Sequence, residues 1–268
     1  MTSATALRKR LLSRGPLDLL VQFLIIAAAY TAWRYARGAV AGGMVASFVH
    51  ARDLISLERS LHSLVETDVQ SWAQGHGWSA ELARWGYANL HFKGSVLALL
   101  VLYFGYRNSF GFVRNTVLAA MAISVALYAL YPTAPPRFLP ELGLDGATAV
   151  TGNNSMLSSP GDPLFNPFAA VPSMHVGLAL IFAWSLALLV RPKALKAALF
   201  AYPLLMTYVV VASGNHFWID ALFGAMVAAA AAAVATLLGR LNPDWAFRRE
   251  PEPAEHLAVE PEVEAAPA

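Results

Sequence analysis

The chain of 268 residues contains no cysteine. Disulfide bonds, thiolate metal sites and a cysteine nucleophile are thereby excluded, and any loop outside a membrane must be held by packing alone. Charge is also scarce. Asp, Glu, Lys and Arg make up 13% of the residues, where a soluble globular chain carries roughly 25%. Hydrophobic residues make up 57%, and the mean hydropathy is +0.50. The sequence also lacks an internal repeat and a phosphate-binding glycine loop of the nucleotide type. A water-soluble domain does not fit this composition, and no nucleic-acid partner is expected from it.

What the chain has instead is long apolar runs. Six approach the ~20 residues a bilayer-spanning helix needs, at 17–35, 82–103, 113–131, 176–190, 194–212 and 217–238. The expected fold is all-α, a polytopic membrane helix bundle of about six transmembrane helices. The fourth run is short and can be extended backward by a turn. The first follows Arg8, Lys9, Arg10 and Arg14, but it is too long for a secretory signal and lacks a small-residue cleavage site. It reads as a retained span.

Basic residues set the expected orientation. With the N-terminus in the cytoplasm, 12 of the 19 fall in inner segments: Arg8, Lys9, Arg10, Arg14, Arg107, Arg114, Arg191, Lys193, Lys196, Arg240, Arg248 and Arg249. Residues 1–16 are then a basic cytoplasmic N-terminus and 17–240 a six-helix membrane domain in the plasma (inner) membrane. Residues 241–268 form a cytoplasmic tail. Its last 19 residues, 250–268, hold six glutamates, four prolines and no lysine or arginine, too little apolar surface to fold. Without that stretch's −6, the overall +2 becomes +8 on residues 1–249, a basic face suited to anionic headgroups. The loop 132–171 faces the extracytoplasmic side. Within 44–77, Leu54, Leu57, Leu61, Leu64 and Val65 recur at helical spacing among Arg52, Asp53, Glu58, Arg59 and Glu66. That pattern predicts one amphipathic helix, either lying along the outer interface or packed on the bundle. His50, His62 and His76 in this region need no function.

Polar chemistry gathers in three segments on the predicted outer side. In Tyr131-Pro132-Thr133-Ala134-Pro135-Pro136-Arg137-Phe138, prolines end the third span and present an arginine, whose guanidinium suits bidentate phosphate binding. Alone, that arginine would read as one that snorkels to the interface. In Asn166-Pro167-Phe168-Ala169-Ala170-Val171-Pro172-Ser173-Met174-His175, Pro172 can start the fourth span and leave Ser173 and His175 in its first turn. Backbone N–H groups and the helix dipole favour an anion there, and the histidine can exchange a proton with it. In Ser213-Gly214-Asn215-His216-Phe217-Trp218-Ile219-Asp220, Gly214-Asn215 can turn and cap the sixth helix. His216 and Asp220 are then i, i+4 on one face, so the carboxylate can accept the imidazole Nδ1–H and leave Nε2 free. An ionisable pair at the edge of a membrane helix is costly without a role.

Together the three segments resemble the type-2 phosphatidic acid phosphatase superfamily, over roughly residues 87–224. The general second block is Pro-Ser-Gly-His and the third ends in His, three residues, then Asp. Pro172, Ser173, His175, His216 and Asp220 match, with Met174 in place of the glycine. The lysine seven residues before the first-block arginine is Leu130 here, and the Ser-Arg pair that opens the third block falls at Val209 and Val210. Two expected cations are therefore missing. That loss, with the Tyr-Pro…Pro-Pro-Arg and Asn-Pro…Pro-Ser-Met-His segments, looks more like the inositol phosphorylceramide synthase-like branch.

The resemblance implies that His216 attacks phosphorus and forms a phosphohistidine, with Asp220 orienting its ring. It implies that His175 protonates the leaving oxygen and then deprotonates water or an alcohol. Arg137 and Ser173 would hold the nonbridging oxygens, and no metal or other cofactor is called for. Membrane lipids are the expected substrates, and a lipid, an alcohol or water the acceptor. Fewer cations favour a phosphodiester, hence transfer of a phospho-headgroup such as phosphoinositol, over hydrolysis of phosphatidic acid or a polyprenyl phosphate. Tyr87, Asn89, His91 and Lys93 in the second span, with Asn215, are candidates to line a headgroup cavity, although packing alone also accounts for them. A transporter could use the same polar residues. Against it, they cluster at outer helix ends and no discontinuous-helix repeat is visible. A metal site of His175, His216 and Asp220 is a further alternative.

Overall fold

The computed structural model describes residues 15–144 and 166–241. The basic segment 1–14, the middle of the outer loop and the acidic tail lie outside the described residues. Among them the chain is helical: α1 (Gly15–Ala39), α2 (Met44–Ser60), α3 (Glu66–Gly75), α4 (Gly77–Gly105), α5 (Arg107–Leu130), α6 (Met174–Leu189), α7 (Lys193–Ala212) and α8 (Trp218–Leu241). Two 3₁₀ turns, Pro136–Phe138 and Pro140–Leu142, follow α5.

Five helices, α1, α4, α5, α7 and α8, are long and apolar enough to cross a membrane, where the sequence suggested about six. The difference is α6. Its 16 residues span about 24 Å, short of the ~30 Å hydrocarbon core. The extra turn expected at its start does not form, because Ser173 is extended (φ −71°, ψ 102°) as the N-cap and Pro172 stays outside the helix. Instead α6 runs through the middle of the bundle, packed against α4, α5, α7 and α8. Leu178, Ile181 and Phe182 of α6 join Leu102, Phe110 and Val113 in the principal core. Apolar side chains on the outside of the long helices, among them Phe23, Leu97, Leu204 and Met226, are exposed, as in an integral membrane protein.

Segment 44–77 forms two short helices rather than one. His62 adopts a left-handed conformation (φ 53°), which breaks the helical register between Ser60 and Glu66. Both pieces pack on the bundle. Ala51, Leu54 and Ile55 bury against Leu139, Phe168, Phe217 and Ile219. Glu58 and Glu66 sit among the charged positions of the expected polar face, yet both are completely buried. Their carboxyls reach inward to backbone N–H groups at the start of α8.

Two contacts bring the site-bearing loops together. The ends of the long loop pair through one isolated parallel bridge, Thr133 with Ala169, in which Thr133 N–H donates to Phe168 O at 2.8 Å. At the start of α6, Ser173 N–H donates to the Asp220 carbonyl of α8 at 3.0 Å. This approach requires glycine on both helices. A Cβ on Gly177 would lie 3.0 Å from Gly224 O, and one on Gly224 would overlap Ser173 O.

Candidate active site

His216 precedes α8 instead of opening it, so the pair with Asp220 is not a helix-face pair. The chain leaves α7 through Gly214, whose φ of 65° suits glycine, and Val210 O accepts from the N–H groups of Asn215 and His216. Gly214-Asn215 therefore terminates α7 and does not cap α8. The capping is done by Asp220 itself. Its Oδ2 accepts Phe217 N–H at 2.9 Å, as an acidic residue in a first turn does when it reaches back to its own cap.

The same Oδ2 lies 3.2 Å from His216 Nδ1, and Ala170 O is nearer, at 2.8 Å. A backbone carbonyl can only accept, so Nδ1 carries the hydrogen and Nε2 is left with its lone pair. Burial pushes the imidazole pKa down to about 4, with nearby Arg137 adding to the effect while the hydrogen bond to Ala170 opposes it. His216 is therefore neutral at neutral pH, the state a nitrogen nucleophile requires.

His175 lies in the first turn of α6, its ring 5.6 Å from that of His216, centroid to centroid. Tyr87 of α4 stacks on it at 4.7 Å, and His91 packs at 4.4 Å. Arg137 is held from two sides. Its N–H donates to Gly214 O at 3.0 Å, and its guanidinium donates to Asn215 Oδ1. These groups surround a cavity of about 170 Å³ that both histidines, Arg137, Tyr87, His91 and Asn215 line. Ser173 Oγ is buried and has no hydrogen-bond partner among the described residues. The arrangement provides an unprotonated ring nitrogen, a second imidazole to move a proton, and cationic donors for an anion. A tetrahedral phosphate needs these three things for in-line displacement. No His/Asp/Glu group among the described residues has the arrangement of a metal site.

Four candidates from the sequence do not line the cavity: Ser173 and Asp220 are fully buried, Asp220 against His216, and Asn89 and Lys93 fall elsewhere. Asn89 turns back to donate to Trp85 O at 2.9 Å, and Lys93 is exposed; neither lines the cavity. Position 130, where the general pattern has lysine, is an outward-facing leucine that is 77% exposed. Val209 and Val210 are fully buried, and Val210 packs in an apolar cluster with Val176, Met206 and Ala221.

A different cation is present. Arg37, near the end of α1, lines the cavity, and its guanidinium stacks over Trp33 at 4.9 Å. Its carbonyl accepts from Asn166 Nδ2 at 2.8 Å, which joins α1 to the loop that carries Ala170. The available signal was an arginine in the last turn of an apolar span, a costly place for a charge without a role. The Ala170 carbonyl left no signal, since any residue supplies one.

No curated protein and no solved structure matches the chain. A family model described as the PAP2 superfamily matches residues 52–234, which takes in Arg137, His175, His216 and Asp220. With more than half its length matched, the chain belongs to the PAP2 superfamily, and its activity is, at the general level, of the lipid-phosphate phosphatase type.

Proposed function

We propose that this protein is a membrane lipid phosphatase/phosphotransferase that works through a phosphohistidine at His216, with transfer of a phospho-headgroup favoured. The observation that carries this reading is the anchoring of His216 Nδ1 on Ala170 O and Asp220, which leaves Nε2 as the reactive atom beside His175 and Arg137. Nε2 attacks phosphorus, and the bond from phosphorus to the leaving oxygen breaks. Protonated His175, its charge favoured by the bound phosphate, gives that oxygen a proton. His175 then takes a proton from water or an alcohol, whose oxygen attacks phosphorus as the N–P bond breaks. Arg137 and Arg37, which both line the cavity, hold the nonbridging oxygens.

The absence of cations at 130 and 210 supports a diester donor. Arg37 supports the second reading, hydrolysis of a monoester such as phosphatidic acid or a polyprenyl phosphate, because it restores one cation. Orientation follows from charge. Arg107, Arg114, Arg191, Lys193, Lys196 and Arg240 gather at the end of the bundle opposite the cavity, which supports an extracytoplasmic site with both termini cytoplasmic.

Purified protein incubated with labelled phosphatidylinositol, phosphatidic acid and polyprenyl phosphate, with and without alcohol acceptors, tests both readings. Headgroup transfer from phosphatidylinositol to the alcohol is the expected result. Release of inorganic phosphate alone assigns simple hydrolysis. Full activity of His216→Ala on any of these lipids would overturn the phosphohistidine.

A further inference from the structure

Three consecutive backbone N–H groups open α8, and each donates to a different carboxyl. Phe217 donates to Asp220 Oδ2 at 2.9 Å, Trp218 to Glu66 Oε1 at 2.8 Å, and Ile219 to Glu58 Oε1 at 3.3 Å. One carboxyl is enough to cap a helix, and two more brought from α2 and α3 are unusual, since all three side chains are completely buried. The remaining oxygens, Glu58 Oε2 and Glu66 Oε2, are buried with no conventional donor among the described residues. The two carboxyls are neighbours in the same buried site, and two carboxylates cannot pair there without a proton. One proton shared between them satisfies both orphaned oxygens and removes one of the buried charges.

We infer that Glu58 and Glu66 are positioning residues of the catalytic centre: the singly protonated pair clamps the first turn of α8 and thereby fixes Asp220 and, through it, His216. The inference rests on the phosphohistidine reading above. The pair touches neither substrate nor His216. It acts because Trp218 and Ile219 lie between Phe217, whose N–H holds the Asp220 carboxyl, and Asp220, whose carboxyl meets the His216 ring. The titratable groups that face the pair are its own two members and, from α8, Asp220. Burial, reinforced by the neighbouring Glu66, pushes Glu58 up to about 9. Below that pH the clamp keeps its proton. Above it the pair gains a second negative charge, next to that of Asp220, the carboxyls repel, and the first turn of α8 loosens.

The test compares Glu58→Gln, Glu58→Ala and His216→Ala in detergent-purified protein, with phosphatidic acid and phosphatidylinositol as substrates across the pH range. Glutamine keeps an acceptor for Ile219 N–H and a donor for Glu66 but cannot ionise. Glu58→Ala is expected to lose at least ~10-fold in kcat with little change in KM, and Glu58→Gln to recover most of it. Wild-type activity should fall on the alkaline side near pH 9, and Glu58→Gln should lack that fall. Infrared spectra of the wild-type protein without substrate should contain a protonated-carboxyl band that titrates near pH 9 and is lost in Glu58→Gln. A lower melting temperature in Glu58→Ala with unchanged kcat and pH profile would reduce the pair to a structural role and overturn the inference, as would absence of the band. Failure of the underlying reading is separate, because it appears as an active His216→Ala.

Discussion

Replacing Gly224 by alanine tests whether the backbone contact between α6 and α8 sets the catalytic geometry. A Cβ at this position falls well under 3.0 Å from Ser173 O, and 3.2 Å from Gly177 N. Both neighbours are backbone, so no side chain can rotate away. Restoring ordinary contact moves the start of α6 relative to α8 by about 1 Å, and overpacking of this kind costs about 1–3 kcal/mol. Against a typical stability of ~5–15 kcal/mol the bundle still folds. Catalysis is less tolerant, because His175 rides on α6 and Asp220 on α8, and a misplacement of about 1 Å can cost ~100-fold.

Gly224→Ala should therefore lower kcat by about two orders of magnitude, with KM and membrane insertion close to wild type. Gly177→Ala is the internal comparison. Its Cβ would lie 3.0 Å from Gly224 O, a clash that a few tenths of an ångström relieves, so the loss should stay under ~10-fold. The assay is turnover per folded molecule on the lipid panel, with folding checked by thermal denaturation in detergent. A Gly224→Ala protein with wild-type kcat, or a Gly177→Ala protein that is the more damaged of the two, would refute the geometric reasoning.

Three further outcomes are expected. Arg37→Gln should reduce kcat/KM on phosphatidic acid by ~10- to 100-fold, the equivalent of one charge-assisted hydrogen bond, and should affect phosphatidylinositol less; equal losses on both would remove Arg37 from any discriminating role. Because the folded His216 pKa is depressed to about 4, activity should persist well below the ordinary histidine value of ~6.5 and fall only near pH 4. Stability should decline earlier, as pH falls from ~6.5 to about 4, since the unfolded chain takes up the proton first; thermal melts and rate profiles between pH 3 and 8 read both, and a rate loss centred near 6.5 would contradict the buried neutral ring. Cysteines placed singly at Gly152 and Glu262 in this cysteine-free chain should be labelled by a membrane-impermeant thiol reagent in intact cells only at the former, and the reverse pattern would invert the proposed topology.

The chemistry-bearing residues were legible because each stands beside a break in an apolar run. His175 follows Pro172, His216 follows Gly214, and Arg137 follows two prolines, so the sequence marks where polar groups meet helix ends. Helix positions were legible for the same reason, with ends off by up to about six residues, as at the start of α5. The sequence was a poorer guide where hydrogen bonding overrides periodicity. Ser173 takes the N-cap and shortens α6, Asp220 reaches back to Phe217 and leaves His216 outside α8, and His62 divides the segment expected as one helix. Glu58 and Glu66 misled most. At helical spacing among Arg52, Asp53 and Arg59 they read as part of a solvated face, and only the unpaired N–H groups of α8, distant in sequence, explain their burial.

The cation count shows the same limit in a form that bears on substrate choice. Motif positions alone offer Arg137 as the one candidate phosphate cation, because position 130 is an exposed leucine and position 210 a buried valine. Neither side chain lines the cavity, so introducing Lys or Arg there would not rebuild the general pattern: at 130 the charge would point away, and at 210 it would be forced into an apolar cluster. Arg37 enters from α1, outside the matched segment 52–234, where no motif comparison would look for it. A site with two guanidiniums and no lysine is intermediate between one built for a dianion and one built for a diester. Its preference then depends on whether Arg37 engages a nonbridging oxygen or the headgroup beyond it. Arg37 lines the same cavity as Arg137 and His216 but comes to it from α1, while Arg137 is held by Asn215 on the loop that carries His216. Two guanidiniums that converge on one cavity from different elements can each take a nonbridging oxygen, and the second matters more to a dianion than to a diester. The larger loss on phosphatidic acid expected for Arg37→Gln reads that engagement directly, and a larger loss on phosphatidylinositol would place Arg37 at the headgroup instead.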